Sequence, residues 1–61
     1  MREFILGFPK GKEPIEGNIA LYETRQSAGS ATEHFLIVET DSLDKAKTKF
    51  MELAARDFMP N

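Results

Sequence analysis

The stretch from His34 to Ala54, HFLIVET followed by DSLDKAKTKFMELA, sets the fold because its hydrophobic period changes halfway along. Phe35, Leu36, Ile37 and Val38 form an unbroken apolar run bounded by polar residues, the pattern of a strand covered on both faces. From Ser42 onward, Leu43, Ala46, Phe50, Leu53 and Ala54 recur three or four positions apart, which puts them on one stripe of a helix. At the junction, Thr40, Asp41 and Ser42 offer N-cap oxygens, and Asp44 puts a negative charge where the helix dipole favours one. Pro60 closes the pattern beyond Phe58. The spacing therefore predicts a strand over 34–40, taken as the central one, and an amphipathic helix from about Ser42 to Phe58.

Upstream, Phe4, Leu6 and Phe8 alternate with other residues over 3–8, and Pro9, which cannot donate to a ladder, stops the run. This is a first strand. Residues 9–17, PKGKEPIEG, hold two Pro, two Gly and four charges, the composition of an exposed connection. A second strand is predicted from about Asn18 to Arg25, where Ile19, Leu21 and Tyr22 supply β-branched and aromatic character. Residues 26–33, QSAGSATE, carry no large apolar side chain and read as a mobile hairpin loop. The expected architecture is α+β: a three-stranded antiparallel β-sheet, β-β-β-α in order, with the single C-terminal helix packed on one face. At about 25 Å, such a helix is long enough to lie across the whole sheet.

Sixty-one residues suffice for one domain, 1–61, without repeats or linkers, and the chain is read as complete. Apolar residues make up 41% and charged residues 30%, and five phenylalanines in so short a chain argue against disorder. There is no cysteine, so neither a disulfide framework nor a thiolate metal site can staple the fold, and a cytoplasmic location is the default. No run is long enough for a signal-peptide core or a membrane span. The net charge of −2 is the wrong sign for a protein held mainly by phosphates. Size and independence would suit a phage or mobile-element accessory protein.

Period-two alternation carries the functional reading. Phe4, Leu6 and Phe8 share one face of the first strand and Ile5 takes the other; in the third strand Phe35 and Ile37 oppose Leu36 and Val38. One helix covers one face, so large apolar groups remain on the other. Leaving two or three of them in water forgoes about 1.5 to 3 kcal/mol each, comparable with the stability of so small a domain. The residues predicted to meet a partner are Ile5, Tyr22, Phe35 and Ile37, with a protein or a second copy of the chain as the partner and an exposed strand edge as the alternative contact. The bland alternative is that loops or Met59 fold over this face. The second reading is nucleic-acid binding through Tyr22, Arg25, Lys45, Lys49 and Arg56. A three-stranded sheet with a C-terminal helix is similar, at the level of fold alone, to some integrase DNA-binding domains. The basic stripe is better read as the solvated face of an amphipathic helix, with Asp41 and Lys45, or Glu52 and Arg56, spaced for i to i+4 pairing. A third reading is an accessory subunit that is stable only when docked in a larger complex.

Catalytic and cofactor motifs fail on spacing. Residues 7–12, GFPKGK, resemble a phosphate-binding loop one residue short, with Glu13 in place of the metal-binding hydroxyl and no helix following. The sole histidine, His34, lacks companions for a transition metal. Ser30, between Gly29 and Ala31, lacks the second glycine of a nucleophile elbow. Glu39 and Asp41 share a face, but Asp41 is better used as a helix cap. No cofactor, no metal and no enzymatic activity are expected.

Overall fold

Strand β1 (Arg2–Pro9) lies at the centre of a three-stranded sheet, flanked by β2 (Ala20–Tyr22) on one side and β3 (Thr32–Thr40) on the other. This is a computed structural model, and it describes residues 1–57. Both pairings are antiparallel, Leu6 facing Leu21 in one and Leu36 in the other. Between β1 and β2, residues 9–12 make a tight turn. Lys12 N–H donates to Pro9 O at 3.1 Å, and Gly11 holds the φ of 81° that its position requires. A single 3₁₀ turn (Glu16–Asn18) leads into β2.

Helix α2 (Leu43–Asp57) begins where the capping pattern places it, with Ser42 Oγ accepting from Lys45 N–H at 3.3 Å. Its buried stripe, Ala46, Phe50 and Ala54, packs on Phe4, Leu6 and Phe8 of β1 and Val38 of β3. The two alanines let the helix approach the sheet closely. Phe50 fills the space between them, fully buried, its ring edge-on to Phe8 with centroids 5.1 Å apart. Leu36, Leu43, Met51 and Ile19 seal the rim of this core. Arg2 sits over the Phe4 ring at 5.1 Å, capping one end.

The α+β class and the antiparallel three-stranded sheet stand as read from the sequence, with three corrections of detail. β1, not β3, is central, because β1 alone pairs on both edges. The second strand is shorter than 18–25, ending at Tyr22. The segment taken for a mobile hairpin loop contains a second helix, α1 (Arg25–Ala31), so the order of main elements is β-β-α-β-α. The strand order explains the helix. β2 and β3 both run antiparallel to β1 and hence parallel to each other, so the chain leaving β2 must cross the sheet before β3 can start, which a hairpin cannot do.

Thr24 caps α1, its Oγ1 accepting from Ser27 N–H at 3.0 Å, and Thr32 Oγ1 donates to Ala28 O at 2.6 Å as the chain turns into β3. Lys10 N–H donates to Ala31 O at 2.9 Å, tying the helix end to the turn after β1. Ala28 is fully buried yet stands outside the cluster beneath α2. A Cβ built on Gly29 would lie 3.9 Å from Cε1 of Phe35, which by alternation points away from α2. Helix α1 therefore covers part of the sheet's second face. Small residues, read from sequence as unable to join a core, are what let it sit there. Phe58, Met59 and Pro60 lie outside the described residues, and with them the expected helix end and the expected cover from Met59.

Candidate functional site: the second face and outer edge of the sheet

The register assembles the four residues singled out for partner binding into one patch. Ile5 faces Tyr22 across one edge of β1 and Ile37 across the other, so the three side chains form a continuous row on the face opposite α2. The next row is Ala20, Gly7 and Phe35. Because Gly7 has no side chain, Thr32 packs against the centre of the second row, its Cγ2 lying 2.8 Å from where a Cβ on Gly7 would stand. Ile5, Tyr22, Phe35 and Ile37 are all half-buried. Helix α1, against Phe35, supplies part of that cover, so the loop-cover alternative is met in part by a helix. Beyond Ile5 the face turns acidic, with Glu3 opposite Glu39.

The nucleic-acid set is not brought together. Lys45, Lys49 and Arg56 lie on α2, whereas Tyr22 lies on the opposite side of the sheet and Arg25 opens α1. An open groove of about 350 Å³ beside α2 is lined by Thr40, Asp44, Lys45, Thr48 and Lys49, so its two cations share it with a carboxylate. A smaller cleft of about 180 Å³ lies between Phe8, Lys12, Pro14, Glu33 and His34. Lys12 of the glycine-containing segment lines that cleft, but the chain continues from it into the 3₁₀ turn rather than a helix that would receive a phosphate. Among the described residues no three His, Cys, Asp or Glu side chains gather where a metal ion could be held, and no helix is long and apolar enough to cross a membrane.

Two surface features escaped the sequence. Leu21 points to the same side as the fully buried Leu6 but is 53% exposed, because α2 lies over β1 and β3 and stops short of β2. The outer edge of β3 is the other: nine residues long, it pairs only with β1 among the described residues. Neither was legible from spacing, since both depend on which strand is central. Comparison with protein-family models, with curated proteins and with solved structures finds no match to this chain.

Proposed function

We infer that the domain is a small cytoplasmic protein-binding adaptor or regulatory module, acting through the second face of its sheet, with self-association as one of its forms. The observation that supports this is the Tyr22, Ile5 and Ile37 row, an apolar strip running across all three strands on a face whose helix, α1, is seven residues long. Full burial of such a side chain contributes about 1.5 to 3 kcal/mol, and half-buried groups retain part of that for a partner to recover. The role is one of binding and not of catalysis. The nucleic-acid reading has less support, because its aromatic and its helical basic residues lie on opposite sides of the sheet.

The test is affinity capture with tagged wild type, Ile5→Asp and Ile37→Asp, with and without nuclease, each variant first checked for helix content by circular dichroism. Capture of a protein that survives nuclease and is lost in both folded variants is the expected result. Capture that persists through both substitutions would show that this face is not the contact. Recovery of nuclease-sensitive material alone, binding that falls steeply between about 50 and 200 mM salt, would move the assignment to nucleic acid.

A further inference from the structure

The two edges of the sheet differ in a way that bears on the partner. The β2 edge is three residues long, and short edges are one of the ways proteins avoid unwanted strand pairing. The β3 edge extends over TEHFLIVET and lacks the strong protections: it contains no proline, no lysine and no glycine, and its carboxylates, Glu33 and Glu39, lie toward its ends. The register shift in its ladder lies at the Pro9 end, on the side already paired with β1. Alternate residues along β3 direct their N–H and C=O groups away from β1, a donor and acceptor pattern that an added strand matches.

The geometry points to a second copy of this chain as that strand, pairing antiparallel along β3 and centred on Ile37, to give a continuous six-stranded sheet. This rests on the reading of the domain as a protein-binding module and supplies its partner and register. Two copies related by a twofold axis perpendicular to the sheet pair about a single residue, which faces itself. Centring on Phe35 leaves that residue's self-contact as the sole meeting of large apolar side chains, since Leu36 then faces His34 and Ile37 faces Glu33. Centring on Leu36 brings the apolar run together but sets Glu33 against Glu39 twice, and like charges directly opposed are destabilising. Centring on Ile37 sets Ile37 against its own copy and Leu36 against Val38 on both sides, with Phe35 beside Glu39 and Glu33 opposite Asp41, outside the strand. Of these three registers, this one combines several apolar pairs at its centre with a ladder free of like-charge pairs. It also joins the Tyr22, Ile5 and Ile37 rows of the two copies end to end on one face, doubling the strip described above.

The absence of cysteine makes the register directly readable. Residues directly opposed across antiparallel strands have Cα atoms about 4.5 to 5.5 Å apart, inside the span a disulfide accepts, whereas a shift of two positions takes them to about 7 to 8 Å, beyond it. Single-cysteine variants Phe35→Cys, Leu36→Cys and Ile37→Cys are oxidised with diamide, which takes two electrons and two protons from each thiol pair, and covalent dimer is followed on non-reducing gels. In parallel, wild type is sedimented over a range of concentrations, and amide exchange in β3 is measured at both ends of the range. The expected result is a concentration-dependent wild-type dimer, with β3 amides more protected at high concentration. The Ile37→Cys variant should cross-link on the order of tenfold faster than Phe35→Cys or Leu36→Cys. Fastest cross-linking by Leu36→Cys or Phe35→Cys, or a dimer that leaves β3 exchange unchanged, would overturn the pairing. So would wild type sedimenting at monomer mass up to about 1 mM, a range that would reveal even weak association. Because that measurement involves no other protein, a monomeric result refutes self-pairing while leaving the face reading to its own capture experiment.

Discussion

Replacing Gly7 with alanine is expected to destabilise the domain far more than so small a change suggests. The new methyl group would stand 2.8 Å from Thr32 Cγ2, 3.1 Å from His34 O and 3.2 Å from Phe35 Cβ. The oxygen belongs to the backbone and cannot swing aside. Thr32 cannot turn away freely either, because its hydroxyl is buried and donates to Ala28 O at 2.6 Å, so a rotation would break the bond that joins α1 to β3. Overpacking of this kind costs about 1 to 3 kcal/mol, and alanine returns about 0.4 to 1 kcal/mol by restricting the unfolded chain; with two fixed neighbours the cost falls in the middle to upper part of its range, for a net loss of about 1 to 2 kcal/mol. A domain of 61 residues has an unfolding entropy of about 0.13 kcal/mol/K, so Tm should fall by about 8 to 15 °C. Thermal and urea unfolding followed by circular dichroism read the change directly. Gly17→Ala is the matched control: a Cβ there meets nothing within 4 Å, and the variant is expected to be as stable as wild type or more so. If Gly7→Ala unfolds at or above the wild-type temperature, the close approach of β3 to Gly7 is not a feature of the fold in solution.

Gly29→Ala should stabilise by about 0.5 to 1 kcal/mol, since it improves helix propensity in α1 and its methyl would meet Phe35 at an ordinary 3.9 Å; a loss of stability in urea melts would show that α1 sits closer to the sheet than described. Thr24→Ala removes the α1 cap and is expected to cost about 1 kcal/mol, read as a lower urea midpoint and faster amide exchange over 25–31; unchanged exchange there would mean that the cap does not hold the helix. Phe50→Ala deletes a fully buried ring that lies edge-on to Phe8 and should cost about 3 to 5 kcal/mol, against a total stability of about 3 to 9 kcal/mol for this length. Loss of the cooperative transition near room temperature is the expected readout, and a melt within a few degrees of wild type would displace Phe50 from the centre of the core.

The part of the fold written in local periods could be read from residue order alone. Phe4, Leu6 and Phe8 against Ile5, and Leu36 and Val38 against Phe35 and Ile37, define two faces for each long strand whatever their neighbours, because side-chain direction follows position along the chain. The stripe Ala46, Phe50 and Ala54 likewise defines the inner face of α2, and Ser42 its start. Ile5, Tyr22, Phe35 and Ile37 could be named as a group on that basis. That they adjoin is a tertiary fact, since their row exists through the pairing of β1 with both neighbours. Strand order is a long-range choice, and three further features depend on it: the crossover that turns QSAGSA into a helix, the edge of β3 that is unpaired among the described residues, and the exposure of Leu21. Helix α1 was illegible because seven small and polar residues have no apolar stripe to mark them. What holds them is a cap at Thr24, a bond from Thr32, and the sheet face at Phe35, which becomes a place for a helix only after residues far apart in sequence have paired.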